Sequence, residues 1–97
     1  MNDAMPVLGT VVISKAGRDA GRYFVILDIA DDAHVYICDG DLRKVQKPKK
    51  KKLKHLQIRP VVIPVVTQAA SEGRKPYDYE IRQHLQALGY NVKEKAF

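Results

Sequence analysis

Three short apolar runs open the chain, separated by polar turns at roughly ten-residue spacing. Val7–Ser14 (VLGTVVIS) is rich in β-branched residues and stops at Lys15-Ala16-Gly17, which predicts a strand. Tyr23–Ile29 (YFVILDI) and His34–Cys38 (HVYIC) predict two more. The segment between the first two strands, Lys15–Arg22, carries Gly17 and Gly21 beside Arg18 and Asp19, which is turn chemistry. Asp31-Asp32-Ala33 and Asp39-Gly40-Asp41 read as two further turns. Strands of this length and spacing predict a small, mostly β, antiparallel barrel.

The pattern then changes. Leu42–Val45 alternates weakly, and Pro48 forbids an uninterrupted central strand. Leu53–Ile58 is expected to close the sheet, with Leu56 and Ile58 on one face and Lys54 pointing away from the core. Leu53 either falls on the outer side or marks an irregularity. Arg59–Pro64 is bracketed by prolines and should be extended, and Val65–Glu72 has room for a short helix stopped by Gly73. A second helix has stronger signals. Asp78 is the expected N-cap, Glu80 suits the first turn, and Ile81, Leu85 and Leu88 share one face before Gly89. That helix is too short to stand alone in water, so it must pack on the sheet or on a partner.

Charge adds direction. The chain has 97 residues and a net charge of +6. Arg43–Arg59 holds nine Lys/Arg and no acid, whereas Asp28–Asp41 holds five acids and no base. One strongly basic segment points to nucleic acid or an anionic surface. No apolar run reaches the length of a membrane span, since Val61–Val66 is broken by Pro64. Asp3 and the lack of a basic cluster near the start argue against a secretory signal, and a single cysteine, Cys38, allows no internal disulfide. A cytoplasmic protein without a membrane partner is expected.

The candidate chemistry is binding. Gly17 and Gly21 can adopt positive φ and let a phosphate backbone approach, and backbone N–H groups in such a loop can hold an anion. Lys15, Arg18 and Arg22 surround that turn, and Asp19 partly relieves their repulsion. Lys49–Lys52 is a run of four lysines, flanked by Lys47, Lys54 and His55 and preceded by Arg43 and Lys44. Side chains of an extended run alternate, so these lysines would span a groove. Lysine is a compact charge that neutralises phosphate and does not read bases well, which predicts backbone and shape recognition.

Gly9, the loop Ser14–Arg22, and Val25 have the spacing of a KOW motif. Three segments in order, GTVVISKAGRDAGRYFVILDI, YICDGDLRKV and KKKLKHLQI, resemble KOW-domain ribosomal proteins of the archaeal and eukaryotic large subunit and their bacterial KOW-domain RNA-binding relatives. The resemblance implies a five-stranded, SH3-like barrel, placed over residues 5–58; the residues beyond it are read as an extended linker with room for one short helix over 59–76 and a C-terminal helix and tail over 77–97. It implies structured RNA as the partner, ribosomal RNA or the ribosome foremost. The implied contacts are Lys15, Arg18 and Arg22 in the loop, and Lys47, Lys49, Lys50, Lys51, Lys52, Lys54 and His55 in the basic connection and strand; Gly17, Gly21, Arg43 and Lys44 complete the candidate RNA-binding set. Position 20 is Ala where many KOW motifs carry lysine, which shifts weight onto the lysine run.

Other readings remain open at this level. Small barrels also bind proteins, and Ile81, Leu85 and Leu88 could offer their stripe to a partner's groove. A translation or transcription factor could bridge RNA and a protein. Pro48–Lys54 (PKKKKLK) also looks like a nuclear import signal, and a membrane patch would need a lipidation site or a strong amphipathic helix, neither of which accompanies the lysine run. Tyr23, Phe24 and Tyr36 could stack on bases but are expected in the core. Cys38, His34, His55 and His84 lack metal-ligand spacing, and Asp39 and Asp41 read as turn residues, so no catalysis, metal or cofactor is expected.

Overall fold

The computed structural model describes residues 6–91. Residue 5 of the expected barrel, residues 92–97 of the expected tail, and Asp3 lie outside them. The elements run β1 (Thr10–Ser14), β2 (Tyr23–Ile29), β3 (His34–Cys38), β4 (Lys49–Lys52), a 3-10 turn (Leu53–His55), β5 (Leu56–Val62), α1 (Pro64–Ser71) and α2 (Asp78–Ala87). The strands form one antiparallel sheet in the order β4-β3-β2-β1-β5.

The apolar runs of β1 and β2 are continuous rather than alternating because the sheet is buried on both sides. One face gathers Val12, Phe24, Ile26, Val35, Ile37 and Leu56. The other gathers Val11, Val25, Leu27 and Cys38 beneath Val65 and Val66 of α1 and Ile81 and Leu85 of α2. The edge strands β4 and β5 are linked by only the three residues of the 3-10 turn. A flat five-stranded sheet would hold its edges about 19 Å apart, whereas such a turn rises only about 2 Å per residue. The sheet therefore curls, with the helix-free cluster on its concave side.

The strand expected over Val7–Ser14 begins only at Thr10. Gly9 sits at φ 89°, outside strand geometry, and a Cβ there would lie 2.5 Å from the Ile63 carbonyl oxygen. Its own carbonyl accepts from Ile63 N–H at 2.8 Å. Thr10 Oγ1 donates back to the Val7 carbonyl at 2.7 Å and closes the turn.

The 59–76 segment, expected to be extended with room for a short helix, joins the sheet before its helix begins. β5 continues to Val62, with Val62 opposite Thr10 and Ile58 opposite Val12, so four steps on β5 face two on β1. Pro60, which has no N–H to give to a ladder, lies inside this irregularity on an edge strand. The same irregularity leaves Ile58 45% exposed, although Leu56 is buried as expected. Leu53 belongs to the 3-10 turn and packs partly buried on the concave cluster. Helix α1 starts at Pro64, whose fixed φ suits a first helical position, and buries Val65, Val66 and Ala69. Gly73, at φ 71°, follows its end.

Helix α2 packs Ile81 and Leu85 into the core cluster of the convex face. Its N-cap is Tyr77 rather than Asp78. The Glu80 carboxylate accepts from Tyr77 N–H at 2.9 Å, while Asp78 Oδ1 is diverted to accept from Val45 N–H at 2.7 Å. Arg82 Nη1 donates to the Gly40 carbonyl at 2.7 Å. Through these bonds α2 clamps the 39–45 turn. No helix among the described residues is long and apolar enough to cross a membrane.

Candidate nucleic-acid interface

Four consecutive lysines are poor strand formers, yet they make β4. The strand is possible because it is an edge, paired only with β3, where lysine also blocks pairing with another sheet. Its residues alternate across the sheet as the register requires. Lys50 stands opposite Tyr36 and Lys52 opposite His34, and both lysines are exposed on the convex face. Lys49 and Lys51, opposite Ile37 and Val35, turn to the concave side. Lys49 is half-buried there.

Lys51 is only 9% exposed. Its ammonium donates to the Ala16 carbonyl at 3.0 Å and so ties β4 to the glycine loop. The expectation that Lys51 contacts phosphate is thus corrected: this lysine braces the fold.

The loop Lys15–Arg22 has the two positive-φ glycines, Gly17 at 81° and Gly21 at 86°, both exposed. Much of its backbone is already engaged. Gly21 N–H donates to Ser14 O at 2.8 Å, Arg22 N–H to Asp19 O at 3.0 Å, and Ala20 N–H to Gly17 O at 3.2 Å. These three N–H groups cannot also cradle an anion; the side chains of Lys15 and Arg18 beside them are exposed. Lys15 N–H donates to the His55 carbonyl at 2.9 Å, which sets Lys15 beside exposed Lys54 and half-buried His55 of the 3-10 turn.

Two arginines expected at the interface are held elsewhere. Arg22 pairs through Nε with Asp39 at 2.6 Å and through Nη2 with Asp41 at 3.0 Å. Arg43 Nε pairs with the buried carboxylate of Asp19 at 3.0 Å. Asp39 Oδ1 also accepts from the N–H groups of Asp41 and Arg43. The acidic turn therefore neutralises internal cations, and Asp19 relieves Arg43 rather than its loop neighbours. The remaining expected cations, Lys44 and Lys47, are exposed on the connection before β4.

The stripe offered to a protein partner is also corrected. Ile81 and Leu85 are fully packed in the molecule's own core, and only Leu88, 45% exposed, faces outward. Cys38 is completely buried, and that burial, with the nearby charges of Asp39 and Asp78, pushes its thiol up to about 12. It is an inert core residue.

One feature was not anticipated from the sequence. On the convex face a cleft of about 340 Å³ opens between the sheet and the α1–α2 connection. Leu27, Pro48 and Val66 supply apolar wall, and Asp28, Tyr36, Arg74 and Lys75 supply polar groups. Beside it, exposed Tyr77 and Tyr79 stack with centroids 5.7 Å apart, and the Arg74 guanidinium lies 6.0 Å from the Tyr77 ring centre. The interleaving of cations and aromatics in Arg74-Lys75-Pro76-Tyr77-Asp78-Tyr79 was the available signal. No family model matches the chain.

Proposed function

We propose that this protein is a non-catalytic binder of structured RNA, built on an SH3-like barrel of the KOW type, with ribosomal RNA or the ribosome as its target and the cytoplasm as its location. The curl of the sheet, the 3-10 turn between its last two strands, and the glycine-bearing loop beside that turn all support this reading. The observation that carries it is the display of Lys50 and Lys52 on one face of an open edge, next to Lys54 and Lys15. These are point charges without planar forks, suited to phosphates rather than base edges. Helical RNA presents shape and phosphate position to such a surface.

A protein-binding role through α2 loses its main support, because the helix spends Ile81 and Leu85 on its own core. The test is binding of a paired RNA hairpin by fluorescence anisotropy across salt concentrations. Neutralising about five phosphates gives a log–log salt slope of roughly −3.5 to −4.5. The Lys50→Ala/Lys52→Ala/Lys54→Ala variant should flatten that slope by about two to three units. An unchanged affinity would remove the proposal. On a sucrose gradient of native lysate, the protein should travel with ribosomal particles at low salt and leave them at high salt.

A further inference from the structure

We infer that the convex-face cleft takes one unpaired nucleobase carrying an exocyclic amino group, from an RNA whose backbone lies on the β4 lysines. The inference rests on the RNA-binding reading and adds a specificity to it. Three observations place a nucleotide there.

First, the cleft adjoins the charged edge. Asp28 is opposite Tyr36 in the β2–β3 register, and Tyr36 is opposite Lys50 in the β3–β4 register. Directly paired residues project to the same side, so Asp28, Tyr36 and Lys50 form a row across three strands. Asp28 and Tyr36 line the cleft, and Lys50 stands at the end of the row. A phosphate held by Lys50 therefore leaves its attached base within reach of Tyr36.

Second, the cleft has the chemistry of a base site. Its volume of about 340 Å³ suits a single planar ring system. Apolar residues and a half-buried tyrosine offer a stacking surface. Lys75 in the same lining complements an anionic ligand, whereas Arg74 is paired through Nε with Glu72 at 2.8 Å. An acidic peptide would match Lys75 but not the Asp28 carboxylate that shares the lining.

Third, Asp28 gives the cleft an acceptor. Its Oδ1 accepts from Ile29 N–H at 2.8 Å, and Oδ2 has no hydrogen-bond partner among the described residues. A carboxylate accepts from the exocyclic amino group of cytosine, adenine or guanine, as acidic side chains do from cytosine N4, whereas uracil carries a carbonyl oxygen in place of cytosine's amino group and offers only its N3–H.

The test uses the full chain and a set of RNA hairpins, one fully paired and the others carrying a single bulged A, C, U or abasic site. Binding is read by anisotropy at one salt concentration. Bulged A and C should bind about five- to thirty-fold tighter than the abasic hairpin, the scale of one base–aromatic stack, with U weaker than both. Ala70 lines the cleft from an exposed position of α1, so Ala70→Trp should fill the cleft without touching the core. That variant should lose the preference for A and C yet bind the paired hairpin as before. Asp28→Asn, whose amide can donate as well as accept, should bring U level with C. Equal binding of bulged and abasic hairpins, with the paired hairpin still bound, overturns the base site and leaves the RNA-binding reading intact. Base discrimination that survives Ala70→Trp also overturns it and moves the base elsewhere, to the Tyr77–Tyr79 stack first. Failure to bind any hairpin overturns the RNA-binding reading itself.

Discussion

Lys51 Nζ donates to the Ala16 carbonyl oxygen across 3.0 Å, joining the middle of the lysine strand to the loop between β1 and β2. The same carbonyl accepts from Ser14 Oγ at 3.0 Å, so it keeps a partner when the ammonium is removed. Lys50, one position earlier, is exposed on the opposite face and has no such tie. Lys51→Met keeps the apolar stem in the concave core and loses only the charge. It should leave RNA affinity within about two-fold of the parent, whereas Lys50→Ala should weaken binding about three- to five-fold near physiological salt, the effect of one phosphate contact. Anisotropy titrations of the two variants decide this. Equal losses would mean that the β4 lysines act as an undifferentiated charge.

Arg22 and Arg43 separate stability from binding. Asp39 is buried with Arg22 on one oxygen and two backbone N–H groups on the other. Removing a carboxylate so placed strands a partly buried cation and two donors. Asp39→Ala should cost about 2–4 kcal/mol in urea unfolding. Its affinity for RNA, measured where the variant remains folded, should stay near that of the parent. A strong affinity change with little loss of stability would show that the arginine cluster itself contacts the ligand.

Much of this organisation was legible in the sequence. The strands at 23–29 and 34–38, the glycine loop and the apolar face of α2 followed from periodicity and turn chemistry. What was not legible depends on contacts distant in sequence. No local rule says that Lys51 turns inward while Lys50 and Lys52 face out, because that assignment is fixed by the pairing of β4 with β3. The pairing of Arg22 with Asp39 and Asp41 likewise needs two turns far apart in the chain to meet. Two prolines made 59–64 look like a connector, yet an edge strand with an irregularity tolerates Pro60. The cleft was hidden because its walls come from β2, β3 and the α1–α2 connection.

The Cys38 thiol gives a prediction in pH. In the folded protein it is pushed up to about 12, mainly by burial, whereas an exposed thiol titrates near 8.5. Above that value the unfolded chain loses a proton that the folded chain keeps. Stability contributed by this group is therefore complete at neutral pH and falls as pH rises between about 8.5 and 12. At pH 8 a thiol-specific reagent such as dithionitrobenzoate should label the native protein only through unfolding, with labelling accelerated by urea. Rapid labelling in native buffer would show that Cys38 is reached without unfolding.

Gly9 and Gly21 have nearly the same backbone angle, φ 89° and 86°, in different surroundings. A Cβ at Gly9 would meet the Ile63 carbonyl oxygen at 2.5 Å, and that contact is backbone against backbone, with no flexible side chain to yield. A Cβ at Gly21 would meet nothing within 4 Å. Gly21→Ala therefore carries only the conformational penalty of a left-handed residue, about 1–2 kcal/mol. Gly9→Ala carries that penalty and must also displace the junction between β5 and α1, which holds the Gly9–Ile63 hydrogen bond. It should destabilise by at least about 2 kcal/mol more than Gly21→Ala. Urea unfolding of the two variants measures the difference directly. Equal losses would mean that the β5–α1 junction yields to a methyl group, and that Gly9 is required only for its backbone angle.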